Sequence, residues 1–156
     1  MSISPTNETL KQLHWQLAVD CNNRAWELAS KSSAAVDKLE LLNLAHTSAY
    51  HWKQVGTQLN VIRSYELLAH AHALCGNGTT ATMYSNLVLD YFAMHDSDQW
   101  EVAITQMIAA HAAHLCENMT EYQAHYRQAL KVLEAMDDGE EKDVVMLVWQ
   151  HVPIPE

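Results

Sequence analysis

The sequence is short of chain breakers. Its 156 residues include 4 Gly and 3 Pro, so few positions interrupt long elements. It has 1 Phe and few β-branched runs, which argues against a strand-rich fold. Positive charge is also scarce. Nine Lys and Arg face 19 Asp and Glu, for a net charge of −10 with histidines neutral. Such a chain repels phosphate backbones, so nucleic acid is excluded as an expected direct partner. No apolar run reaches about 18 residues, and no membrane span is expected. The opening "MSISPTNETLKQ" lacks the basic and apolar regions of a signal peptide, and a cytoplasmic protein is expected. Cys21, Cys75 and Cys116 make an odd count without a CxxC. Reduced, mostly buried thiols are expected rather than a disulfide framework.

What is present is helical. Apolar residues make up 49% of the chain, enough for one domain with a real core, and Ala, Leu, Met, Glu and Gln are common. Turn signals divide the chain into seven helices. The first spans about 8–30, capped by Thr6 or Asn7, and the second about 34–55, capped by the preceding serines. Gly56 is expected in a left-handed position, with Thr57 capping a third helix that runs to Cys75. In "CGNGT", Gly76 and Gly78 are expected at positive φ and Thr79 as the next cap. A fourth helix covers about 80–94 and a fifth about 99–116. "TEYQ" is close to a capping box for a sixth, about 121–136. A seventh, about 141–151, stops before "PIPE". The chain therefore reads as one all-α domain, 1–156. Its hairpins lie at about 8–55, 57–94 and 98–136, with a capping helix at about 141–151.

The hairpins repeat. "LLAHAHALCGN" lies over "IAAHAAHLCEN", with identities at Ala69/Ala110, His70/His111, Leu74/Leu115, Cys75/Cys116 and Asn77/Asn118. The second helices then align Leu89 with Leu130, a period of 41. Tyr65, Leu68, Ala69, Gly76 and Ala81 stand at the spacing of the tetratricopeptide signature. Ala109, Ala110, Ala113, Tyr126 and Ala129 fit the next copy, where Glu117 replaces the turn glycine and Tyr122 a small alanine. Residues 57–136 thus resemble tetratricopeptide repeats, while the first two helices fit in architecture only. More narrowly, "YHWKQVGT" followed by Asn60 and Arg63 is similar to a segment in a group of uncharacterised bacterial tetratricopeptide-like proteins. The resemblance implies a right-handed superhelix of antiparallel helix hairpins. It implies no chemistry.

Ten histidines supply most of the candidate chemistry. His46 and His51 lie about 140° apart on a helix and cannot chelate one ion together. Trp52 reads as a packing anchor between them, with His51 at its border either structural or in contact with a ligand. His111 and His114 face one way at i, i+3, but a metal site would need His70 or another distant group, and no HExxH is present. No metal or cofactor is expected. Ser48 and Ser64 have no nucleophile-elbow motif. His72 reads as a satisfied core histidine.

In the repeat the resemblance implies, one line of each first helix faces a concave groove. Here that line is Arg63, Glu66 and His70, then Ile104, Met107, His111 and His114. Arg63 suits a carboxylate through its forked donors. Alternatively, Arg63 and Glu66 pair along a solvated helix. The leading expectation is a non-enzymatic module that binds a peptide or partner protein in the groove, or forms a homodimer through an exposed end helix. The alternative is a small-molecule sensor or enzyme whose histidines and Arg63 line a closed pocket for an anionic metabolite. A third possibility is a pure scaffold. Groove shape separates the first two: an open groove suits peptide, and a pocket sealed by the first or last helix suits a small ligand. Imidazoles sharing a groove would respond to pH between about 5.5 and 7.

Overall fold

The computed structural model describes residues 6–156. Residues 1–5, the beginning of the segment read as lacking a leader, lie outside that range. Among the described residues there are seven α-helices, one short 3-10 turn and no strand. The helices are α1 (Asn7–Ala29), α2 (Lys38–Val55), α3 (Gln58–Leu74), α4 (Gly78–Ala93), α5 (Gln99–Leu115), α6 (Met119–Ala135) and α7 (Glu140–Trp149), with the 3-10 turn at Ser33–Ala35. No helix is long and apolar enough to cross a membrane.

Helix starts follow local hydrogen bonding. Thr6 Oγ1 accepts from the Thr9 amide and begins α1. Thr57 and Asn60 form a reciprocal capping box at α3, satisfying two amides that would otherwise be orphaned. Three expected starts are displaced. The serines before α2 form the 3-10 turn instead, and Asp37 caps the helix by accepting from the Glu40 amide. Asn77 rather than Thr79 is the N-cap of α4. Asn118, not Thr120, caps α6 by accepting from the Glu121 amide.

The ends of α3 and α5 close in the same way. The Asn77 amide reaches back to the His72 carbonyl and the Asn118 amide to the Ala113 carbonyl. Each is the wide backbone bond of a left-handed helix stop. Gly76 makes that stop at φ 78° and Glu117 at φ 57°, so the equivalence of these two positions extends to backbone conformation. Gly56 and Gly78 serve a different purpose. Gly56 has φ −80° and is not left-handed. A Cβ there would stand 2.7 Å from the Trp52 carbonyl oxygen. Gly78 is helical, and a Cβ there would stand 2.8 Å from Leu115 Cβ. Close approach, not backbone freedom, excludes larger residues at both.

From α1 to α6 each helix packs on the next in sequence, α7 packs on α5, and α1–α3 and α3–α5 also touch. This makes α3 and α5 central. Residues 66–73 and 107–113 are buried without interruption. Alanine makes this possible: Ala69, Ala71, Ala73, Ala109, Ala110, Ala112 and Ala113 are all buried there. One apolar core gathers Met107, Ile108, Tyr122, Val145 and Val148, and a second gathers Leu41, Leu44, Leu67 and Leu68. Of the cysteines only Cys21 is buried; Cys75 is half-buried and Cys116 exposed.

Beyond α7 the chain returns to the start of the fold. The His151 ring bonds the Ala29 carbonyl through Nε2 at 2.9 Å and Ser33 Oγ through Nδ1 at 3.0 Å. A carbonyl only accepts, so Nε2 carries the proton and Nδ1 accepts from the serine hydroxyl. Gln150 donates to the Ser30 carbonyl and the Tyr122 hydroxyl to the Pro153 carbonyl.

Glu117 pays the steric cost of a left-handed conformation that Gly76 avoids. Glu117→Gly is expected to stabilise the fold by about 1 kcal/mol. Urea unfolding measures it, and an unchanged or lowered midpoint would contradict the assignment.

Candidate functional site

Four helices leave a gap between them. The end of α1 contributes Asn22, Trp26, Ala29 and Ser30, and α3 contributes Arg63, Glu66 and His70. From α5 come Trp100 and Ile104, and from α7 Val144, Leu147 and Val148. They line a half-open cavity of about 300 Å³. Val144 and Leu147 are exposed at its rim. The walls are mostly apolar, and the polar groups come chiefly from α3.

Arg63 is not free for a ligand carboxylate. Its Nε and Nη2 donate to the two carboxylate oxygens of Glu101 at 2.7 and 3.1 Å. Its guanidinium also lies 5.5 Å from the centroid of the Trp100 ring. Glu101 is buried, while Arg63 keeps partial contact with water. The expected Arg63–Glu66 pairing is therefore absent. Glu66 points into the interior and accepts from Thr105 Oγ1 at 2.7 Å. Burial pushes its carboxyl up to about 8, with the hydrogen bond from Thr105 partly offsetting that cost.

His70 stands one turn further along α3. It is 1% exposed, stacks on Trp26 with ring centroids 5.5 Å apart and lies 5.8 Å from His151. Neither of its ring nitrogens has a hydrogen-bond partner, and the same is true of Nδ1 in His111 and in His114. Burial, then the neighbouring His111 and His151, depress His70 to about 3. His111 falls to about 4 from burial, with His151 and His114 adding to it. His70 and His111 are therefore neutral at physiological pH. Among the described residues no three His, Cys, Asp or Glu side chains are grouped to hold a metal ion.

Of the residues read from the sequence, Arg63, Glu66, His70 and Ile104 come together at the cavity. Met107 is wholly buried in the core. His111 is buried behind the lining, and His114 packs edge-on against Tyr122. The other three lie elsewhere. Asn60 is consumed by its capping box. Trp52 meets Trp15 edge-to-face with centroids 4.9 Å apart. His51 Nδ1 bonds His14 Nδ1 at 2.7 Å, and burial lowers its pKa. The stretch around Trp52 thus joins α2 to α1. His72 is satisfied: Asn77 Nδ2 donates to its Nδ1, so its Nε2 donates to His46 Nε2 at 2.9 Å. Ser48 and Ser64 spend their hydroxyls on the carbonyls of Ala18 and Val61.

Sequence reasoning missed Trp26, Thr105, Glu101 and the α7 wall. Trp26 left a faint signal, since it borders the buried seam Ala18, Cys21, Ala25 and Ala29 of α1. No family model matches the chain, and neither the curated proteins nor the solved structures include a match.

Two predictions follow from the charges. Arg63→Ala leaves the Glu101 carboxylate buried without its partner. The expected cost is about 3 kcal/mol, the low end for a broken buried pair because Arg63 is partly solvated; urea unfolding checks it. Glu66 has a folded pKa of about 8 against 4.5 unfolded. Between these values the folded state binds the extra proton, so its contribution is full below about pH 4.5 and declines as pH rises toward 8. The histidines act oppositely: His70 and His111 contribute above 6.5 and lose that contribution as pH falls toward 4 and 3. Glu66→Gln is expected to gain on the parent by about 1.4 kcal/mol per pH unit between about pH 5 and pH 8. Parallel unfolding curves across that range would contradict a neutral buried Glu66.

Proposed function

We propose that the protein is a helical-repeat binding protein for a compact, largely apolar small molecule. In this reading it is a right-handed superhelix of antiparallel, tetratricopeptide-like hairpins. Support for that architecture comes from the matched left-handed stops at Gly76 and Glu117 and from the contacts α1–α3, α3–α5 and α5–α7.

One observation carries the choice of ligand. The side of α3 and α5 expected to form an open groove is instead covered by the end of α1 and by α7, around a cavity of about 300 Å³. An extended peptide needs an open track, whereas a covered, apolar site of roughly this size suits a small molecule. The anionic metabolite anticipated for such a pocket is disfavoured, because Glu101 already occupies the forked donors of Arg63 and Glu66 stands beside the space. Binding rather than reaction suits the serines, since Ser48 and Ser64 donate to backbone carbonyls.

The test is a screen of compact aromatic fragments by protein NMR. Binders are expected to shift the indole N–H signals of Trp26 and Trp100 while leaving those of Trp15 and Trp52 in place. Leu147→Trp should plug the mouth and abolish those shifts. Because Leu147 is exposed, the substitution should change stability by no more than about 0.5 kcal/mol. Fragments that bind equally well to this variant would defeat the reading.

A further inference from the structure

The cavity carries two polar groups that its apolar walls do not explain. Glu66 and His70 are four residues apart on α3, so they project to the same side. They are 3% and 1% exposed, and both line the space. Thr105 satisfies one oxygen of Glu66. His70 has no partner at either ring nitrogen. A neutral imidazole has one N–H and one lone pair, so an unused acceptor stands beside the carboxyl. Leaving such a group buried and unpaired costs about 1–3 kcal/mol. The indole of Trp26 stacks on His70, the indoles of Trp26 and Trp100 both line the space, and ring faces attract cations. The two fixed charges nearby, Arg63 and Glu101, offset each other. The whole chain, at net −10, draws cations toward it.

We propose that the cavity takes an amine with a compact apolar body, bound as its ammonium, with Glu66 and His70 as the acceptors. This rests on the small-molecule reading above and specifies its ligand. An ammonium offers only donors, which matches a carboxylate and a free imidazole lone pair. Its body lies among Trp26, Trp100, Ile104 and Leu147. An anion brings only acceptors and would hold Glu66 protonated beside Glu101.

The proton balance is definite. In the empty cavity Glu66 is mostly protonated at pH 7, with its carboxyl near 8. When the ammonium enters, Glu66 gives one proton to solvent and its carboxylate pairs with the cation. The cavity gains one positive and one negative charge, so its net charge is unchanged. The groups facing Glu66 are Arg63 and His70 on α3 and Glu101 and Thr105 on α5. The cavity-lining residues of α1 and α7 are not titratable. His70 and His111 are already neutral above pH 6.5. Affinity for an ammonium therefore rises with pH up to about 8, following Glu66.

Three indoles of nearly equal size test this: tryptamine as the cation, tryptophol as the neutral form and indole-3-propionate as the anion. Titration calorimetry is run in two buffers of different ionisation heat, with NMR of Trp26 and Trp100 to locate binding. Tryptamine is expected to bind about tenfold tighter than the other two, releasing close to one proton. Its affinity should rise nearly tenfold from about pH 6.5 to about pH 7.5. Glu66→Gln, checked for folding by thermal unfolding, should erase both the preference and the pH dependence. If tryptophol or indole-3-propionate binds as well as tryptamine and shifts the same indoles, the amine assignment falls and the small-molecule reading stands. If Glu66→Gln keeps the pH dependence, the assignment of Glu66 falls. If none of the three shifts Trp26 or Trp100 at millimolar concentration, both readings fall.

Discussion

Helices α3 and α5 are enclosed by other helices, and water reaches little of either. Every polar group on their inner turns must therefore find its partner within the protein or bear the cost of desolvation. The structure meets this demand by crossing from helix to helix. Arg63 of α3 reaches Glu101 of α5, and Thr105 of α5 reaches Glu66 of α3. His72 of α3 reaches His46 of α2. These bonds are directional, so they set how far one helix slides along another, which alanine contacts alone leave loose. The Arg63–Glu101 pair and the Glu66–Thr105 bond join the same two helices, and so they define the wall on which the cavity rests. The exceptions are His111 and His114, each with Nδ1 unpartnered, and above all His70, buried with no partner at either nitrogen.

The cavity has its origin in side-chain size. Away from the cavity α3 and α5 bury alanines together, Ala69 with Ala103 and Ala110 and Ala73 with Ala112. Near the cavity the residues change to Trp26, Trp100, Ile104 and Leu147. Large, stiff side chains hold the end of α1 and α7 apart from the central pair. The interior is thus tight where residues are small and open where they are bulky, the reverse of a simple space-filling expectation.

Local chemistry was legible in the sequence where one residue decides one turn. The stop at Gly76, the cap at Thr57 and the matched position of Glu117 all depend on neighbours within a few residues. The seven helices followed, with ends off by at most four residues. Misreadings came where a residue answers to a distant partner. Gly78 resembles a turn glycine, but the distant Leu115 is the reason it is small. Of the candidate site, the line Arg63, Glu66 and His70 was recoverable from helical spacing on α3. The role of each was not, because Glu101, Thr105 and Trp26 lie 35 or more residues away in the chain. Helix α7 read as a cap, which gives no hint that its outer residues form a cavity wall.

The return of the chain to α1 also bears on how the protein folds. In an open row of helices, each unit touches only its neighbours, folding can start anywhere, and the ends fray independently. Here residues 150 and 151 are hydrogen-bonded to Ser30 and Ala29. The last helix is consequently held by the first, and neither end can peel away without breaking contacts at the other. Contacts of such long sequence separation slow the search for the native state, because a loop of about 120 residues must close. They also bind the row into a single cooperative unit, whose loss in denaturant is one transition rather than a progressive unzipping from either end.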